Sequence, residues 1–357
     1  MKAPPIADLY SDYLLASFGA TTATGLSELL EGEVRHDPVT RYLAGTKHTA
    51  TDLWRTGKPL VREVQSKDGV LRIDDSIAEK PYTDKNAIVC WHYDHSKERM
   101  LKGLNCLTAL YRSQGVNIPV GFHLGAKTEK YIDPKTQKEK RRSPVSKNAV
   151  WQAILKQAVT NLLPFRFVLF DVGFASADTR VFIKQQQHRD FLCPLKTARK
   201  VALSVADKPQ GRYVRVDTLE LEAQATRDIS LEGVPFPLVL GKQVFTNEDG
   251  SIGLRYLVSS DTTWSFADLT TSYHERWPVE CYHKSLKQTV SLAKSPTHTG
   301  TTQTHHCFAA LGGFIKLERL KRGTKLNHVA LKSKLYLNAL HSAFVTLRTL
   351  TPGQGSA

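Results

Sequence analysis

Acidic residues are scarce in this chain: 34 Asp and Glu stand against 49 Lys and Arg, a formal charge of +15. That imbalance favours a polyanionic partner, with nucleic acid first and an anionic membrane surface as its rival. Long apolar runs are missing as well. No stretch of about 18 apolar residues exists, which argues against a bilayer-spanning helix, and the cations are spread along the chain rather than gathered for a membrane surface. Cysteine is sparse. Cys90, Cys106, Cys193, Cys281 and Cys307 are odd in number and form no CxxC pair, so no zinc module is visible and reduced core thiols are expected. The trio His305, His306 and Cys307 lacks a matching second half for a metal site. Internal repeats are absent, and the start of the chain, with Asp8 and Asp12 before YLLASFGA, lacks the basic opening of a secretory signal. A cytoplasmic protein without a membrane partner is the expectation.

What is present is enough for a buried core: 357 residues with 41% apolar content suit a large domain with one or two smaller modules. Residues 25–44 read as helix, turn, helix, the second opened by Asp37 as N-cap with Pro38 at its first helical position, and Arg35, His36, Thr40 and Arg41 on or near it. Another helix follows at TATDLWRTG. From Val70 the pattern turns to strands. VLRIDD places Leu71, Ile73 and Asp75 in one phase and Val70, Arg72 and Asp74 in the other. GLNCLTALYR and VNIPVGFHL, joined by SQG, complete an antiparallel meander. The lysine- and arginine-rich KTEKYIDPKTQKEKRRSPVSK reads as a solvated loop with access to phosphate, and a helix runs from about Ser146 to Leu163. The apolar strand FRFVLF then ends on Asp171 and Gly173, which brings a carboxylate to a sheet edge. A helix near Ala177 to Gln186 and a strand near Phe191 to Leu195 come next. Residues 200–262 have the texture of a separate β-rich insertion, with a hairpin turn at Asn247 to Gly250. Helical pattern returns near Phe266, and the last seven residues read as frayed.

The stretch YHERWPVECYHKSLKQ carries the densest chemistry. On a helix, Tyr273, Arg276, Glu280 and Lys287 fall at i, i+3, i+7 and i+14 and share one face, a carboxylate flanked by cations. Pro278 interrupts or starts a helix here, so the shared face is firm for Glu280 with Lys287 and less so for Tyr273 with Arg276. Three carboxylates stand out by position: Asp75 ending the first core strand, Asp171 ending the apolar strand, and Glu280 on the cationic helix. Together they are suited to one or two Mg²⁺ ions, with Mn²⁺ as a substitute, and to displacement at phosphorus.

These residues resemble the bacterial insertion-sequence transposases of the DDE class that carry a Tyr-Arg-Glu-Lys signature, matched without a gap by Tyr273, Arg276, Glu280 and Lys287 over a likeness spanning residues 70–320. The resemblance implies an α/β fold: a ribonuclease H-like mixed sheet flanked by helices, interrupted by a β-rich insertion and preceded by a helical module. The separation of the second Asp from the Glu, 280 − 171 = 109 residues, leaves room for such an insertion. The implied domains are a DNA-binding helical module (1–69), the core's first part (70–199), the insertion (200–262), the core's second part with the catalytic helix (263–320) and a helical tail (321–357).

Carried over, the resemblance makes Asp75, Asp171 and Glu280 catalytic metal ligands. Asp75 is preferred to Asp74 for its strand phase and because the family's first Asp is usually followed by Thr or Ser, here Ser76. Tyr273, Arg276 and Lys287, with Lys284 on the same basic face and Arg41 in the helical module, are the expected contacts to DNA. For Trp264 the resemblance implies stacking on an unpaired base, with a core tryptophan as the alternative. His92, Asp94 and His95 are expected either to support a ligand or DNA, or to form a hydrogen-bonded loop. The implied function is metal-dependent cleavage at element ends and transfer of 3′-hydroxyls into target DNA, by a homodimer on double-stranded DNA in the bacterial nucleoid. The alternatives are a non-joining nuclease of the same fold and a DNA-binding regulator without catalysis.

Overall fold

The computed structural model describes residues 5–45, 48–94, 98–222 and 224–350. His95 and the tail expected to fray lie outside them. The helices are α1 (Ile6–Ala16), α2 (Ala23–Leu29), α3 (His36–Ala44), α4 (Ala50–Val64), α5 (Lys147–Thr160), α6 (Ala177–Val181), α7 (Phe266–His274), α8 (Trp277–Gln288), α9 (Gly300–Thr324) and α10 (His328–Leu350). The strands are β1 (Val70–Glu79), β2 (Val89–Asp94), β3 (Arg99–Ser113), β4 (Val116–Leu124), β5 (Glu129–Ile132), β6 (Glu139–Arg142), β7 (Phe167–Phe170), β8 (Asp190–Leu195), β9 (Lys200–Val201), β10 (Val214–Arg215), β11 (Thr226–Ile229), β12 (Leu238–Thr246) and β13 (Ile252–Ser259). They form two compact units, one from residues up to 48 together with those from 282 onward, the other from residues 49–281.

The unit built from the chain ends is helical, with α1, α3 and α10 packed on α9. Thr22 caps α2 by accepting from the Gly25 N–H at 2.9 Å, as a β-hydroxyl placed before a first turn does. Helix α3 starts at His36 and has no side-chain cap, so the expected cap by Asp37 is not used. Val39 and Leu43 turn inward while Arg41 faces solvent. His306 is fully buried; its Nε2 lies 3.0 Å from the Ser291 carbonyl and its Nδ1 3.0 Å from the Tyr10 hydroxyl. The carbonyl can only accept, so Nε2 carries a proton, and Nδ1 is in hydrogen-bond contact with the tyrosine hydroxyl. Both ring nitrogens are thereby committed, and His306 is a structural core residue.

The other unit is built on a nine-stranded mixed sheet in the order β11-β12-β13-β8-β7-β1-β3-β2, with β4 also on β3. The expected meander is present: β1 pairs antiparallel with β3 and β3 with β4. Gln114 and Gly115 make the β3–β4 turn at φ 49° and 76°, the paired positive values of a tight two-residue hairpin. Strand β7 runs parallel to β1, and β8 parallel to β7. The strands of the insertion depart from expectation. They are not a separate layer, because β13 pairs with β8 and carries β12 and β11 into the main sheet. The lysine-rich stretch is likewise no plain loop, since β5 and β6 pair as a ribbon. Helix α4, held at its start by a Thr49–Asp52 capping box, packs on β4. Four cysteines are buried as expected, whereas Cys281 is exposed. Among the described residues no helix is long and apolar enough to cross a membrane.

Candidate functional site

Pleating decides which carboxylates meet. Strands β1 and β7 pair in parallel from Val70↔Phe167 to Ile73↔Phe170, and residues paired across a ladder share a face while successive residues alternate. Val70, Phe167 and Leu169 pack with Leu269 and Tyr273 of α7 in one buried cluster. Phe170 turns the other way, edge-on to Trp151 of α5 with ring centroids 5.3 Å apart. On the α7 side of β1, Val70 is followed by Arg72 and then Asp74, and the residue after β7 on that side is Asp171.

Their electrostatics agree with this placement. Burial, then the charges of Asp75 and Asp171, push the Asp74 carboxyl up to about 7; the Asp75 N–H, donating to Asp74 Oδ1 at 2.8 Å, and the Arg276 guanidinium act in the opposite sense. Arg276 precedes α8 and donates to Glu280 Oε1 at 2.6 Å. Burial alone would lower its guanidinium, but Tyr273, Glu280 and Asp171 reverse that and hold it raised. Asp74, Asp171 and Glu280 therefore all act on one cation, Arg276.

Asp75 is not part of this group. Its phase with Leu71 and Ile73 is as expected, but that face is the one α5 covers. Lys147, the first residue of α5, sits 2.5 Å from Asp75 Oδ1, and Asn105 Nδ2 donates to Oδ2 at 2.5 Å. Both oxygens of Asp75 are thus engaged on the far side of the sheet from Arg276. Strand phase separates the two as expected, and it is Asp74 rather than the preferred Asp75 that shares a face with Asp171.

The aromatic residues among these candidates lie in the core. Trp264 is 3% exposed in the same cluster as Val70 and Leu269, edge-on to Phe167 at 5.0 Å with the Arg166 guanidinium 5.1 Å from its ring centre. A ring so enclosed offers no face to an unpaired base, and Trp264 is a core residue. Tyr273 is 7% exposed, its ring flanked by Arg255 at 5.0 Å and Arg276 at 5.9 Å. Its ring supports these two arginines from the core, in place of the expected surface grip on phosphate. Lys284 and Lys287 belong to the helical unit, the first exposed and the second half-buried, as does the exposed Arg41. His92 lies on β2, not in a loop, with Nε2 3.2 Å from Cys90 Sγ. Burial first, then Lys127, lower its pKa to about 4, against the pull of Asp75.

Sequence reasoning missed what holds Arg276 in place. Its neighbour Glu275 accepts from Arg72 Nη2 and Arg112 Nε, each at 2.7 Å. Arg72 is 1% exposed, and burial draws its guanidinium down to about 9 against the pull of Glu275. The clue available in the sequence was an arginine inside an apolar strand, in phase with Asp74.

Asp74 and Asp171 offer hard oxygen donors, and their mutual repulsion is the kind a divalent cation relieves. Glu280 is turned to Arg276 instead, and among the described residues no three His, Cys, Asp or Glu side chains are gathered closely enough to hold a metal ion. The donor set suits Mg²⁺ in kind, with two members side by side and the third paired to a guanidinium. No protein-family model matches the chain, and none of the curated proteins matches it either.

Proposed function

We propose that this chain is a DNA transposase of the DDE class with a ribonuclease H-like core, and that Asp74, Asp171 and Glu280 are its acidic residues. The observation that carries this reading is the convergence on Arg276 of Asp74 from β1, Asp171 directly after the parallel neighbour β7, and Glu280 from α8. Such a placement of acids on strand, strand and helix is what the sequence resemblance implies, with Asp74 in the position first given to Asp75.

In this reading Asp74 and Asp171 hold Mg²⁺, with Mn²⁺ as a substitute, and Glu280 joins them on release from Arg276. The bound ion supplies activation of the attacking oxygen and charge stabilisation at phosphorus. The protein's own groups bind and orient. Arg276, once free of Glu280, is a bidentate partner for a phosphate, and Lys284, Lys287 and Arg41 contribute further cations towards double-stranded DNA. The products are cleaved element ends whose 3′-hydroxyls join target DNA, with a homodimer pairing two ends in the nucleoid.

The test uses short duplexes from the DNA flanking the coding region, incubated with Mg²⁺. The native chain is expected to nick them and to yield joined products; Asp74→Asn and Asp171→Asn abolish both, and Asp75→Asn leaves both measurable. Nicking without any joined product points to the nuclease alternative. Full activity in Asp171→Asn removes the catalytic assignment of Asp171, and duplex binding by the native chain with no nicking leaves the regulator.

A further inference from the structure

The ribbon between β4 and α5 is unlike the rest of its unit. Strands β5 and β6 pair only with each other, from Glu129↔Arg142 to Ile132↔Glu139. Every residue of β6 is exposed, and Ile132 is 59% exposed. A two-stranded ribbon with no buried apolar face draws little stability from packing. Its shape rests on polar pairs instead: Arg142 with Glu129 at 3.0 Å, Lys130 with Glu139 at 3.2 Å, and Lys140 with Asp133. Asp133 also accepts from the Lys135 and Thr136 N–H groups at 2.9 Å each, which fixes the turn, and Arg142 lies 5.6 Å over the Tyr131 ring.

The charges then sort themselves. Residues 127–147 contain eight Lys and Arg against three Asp and Glu, a balance of 8 − 3 = +5. All three acids are used within the ribbon. Lys127 is tied to the Trp91 carbonyl at 2.7 Å and Lys147 to Asp75. Lys135, Lys138 and Arg141 remain, with no ion pair or side-chain hydrogen bond among the described residues, on and beside an exposed turn.

From this we infer that the Glu129–Arg142 ribbon is a DNA-docking arm that enters the major groove of duplex DNA and sets Lys135, Lys138 and Arg141 against phosphates. The inference rests on the DNA-processing reading above and adds the element that grips the duplex. The dimensions fit: a four-residue strand spans about 13 Å at about 3.3 Å per residue, and a major groove about 12 Å wide admits a two-stranded ribbon. The composition selects DNA over a lipid surface, because the turn Asp133-Pro134-Lys135-Thr136-Gln137-Lys138 has no large apolar side chain to wedge into a bilayer.

The experiment measures binding of the full chain to a 30-base-pair duplex across a salt series, comparing the native protein with Lys135→Gln/Lys138→Gln/Arg141→Gln. Three lost phosphate contacts reduce the slope of log affinity against log salt by about 2.7, at about 0.9 per contact. Methylation of guanine N7, which blocks the major groove, is expected to interfere with native binding at one patch and not with the variant. These side chains are exposed and unpaired, so the thermal melt is unchanged. An unchanged slope, or no methylation interference with the native chain, overturns the arm, as does an equal loss of binding to heparin and to DNA. The catalytic reading is scored separately by Asp171→Asn, which should bind with the native slope and fail to cleave. Should the native chain bind no duplex at all, both readings fall together.

Discussion

Arg72 Nη2 donates to Glu275 Oε2 at 2.7 Å, from a β1 side chain only 2% exposed to a residue 203 positions later. Arg112 donates to the same oxygen. One carboxylate thus bridges two guanidinium groups, one of them inside the sheet, and fixes the start of the segment that presents Arg276 and Glu280.

Removing Glu275 leaves Arg72 buried without a counter-charge. Glu275→Ala is expected to cost about 3 kcal/mol or more of stability, the usual penalty for breaking a buried pair from one side. Arg72→Met, which removes the buried charge itself, should cost less. Urea unfolding of the two variants gives the comparison, and equal costs would show that Arg72 does not depend on Glu275.

Trp264 tests its core assignment directly. Trp264→Ala opens a cavity beside Phe167 and should destabilise by about 3–5 kcal/mol, whereas Trp264→Phe should stay under about 1.5 kcal/mol. Duplex affinity, measured where each variant is folded, is expected to match the native value. A selective loss of binding with native stability would return the ring to the surface.

Gly103 of β3 lies close against the backbone of β1. A Cβ built there would lie 2.3 Å from the Ala78 carbonyl oxygen, a backbone atom that cannot swing aside. Gly103→Ala is expected to cost at least about 2 kcal/mol through displacement of β1 from β3, read as a lowered melting temperature. A native melting temperature would show that the strands have slack.

Lys332 supplies a pH test in the helical unit. Its ammonium donates to the Thr289 and Ser17 carbonyls at 2.9 and 3.2 Å, and burial first, then Lys294, draw its pKa down from 10.5 to about 8. Below pH 8 both folded and unfolded chains carry this proton, and the full desolvation cost applies. Between 8 and 10.5 the folded chain loses it first, so the cost fades as pH rises. The urea midpoint of the native chain relative to Lys332→Met should climb across that window; a flat difference would show an ordinary lysine.

Much of the sheet was legible because its strands alternate or are wholly apolar: VLRIDD, VNIPVGFHL and FRFVLF each announce themselves. The β5–β6 ribbon was not, since both its faces are polar and its pairing is held by charges that read equally well as a loop. The choice between Asp74 and Asp75 could not be made from β1 alone. Strand phase says that they point apart, but which of them meets Asp171 depends on the register of β1 against β7, and that is set by pairing between segments about a hundred residues apart. The Arg72–Glu275 latch was hidden for the same reason, with only an out-of-place arginine to mark it.

The pairing of β13 with β8 has a consequence for synthesis of the chain. Until Ile252–Ser259 has been made, β8 has β7 on one side only and presents a bare row of N–H and C=O groups on the other. A nascent chain halted anywhere from about residue 200 to 250 displays that open edge, and truncations ending there are expected to aggregate, while a chain carried past Ser259 closes it.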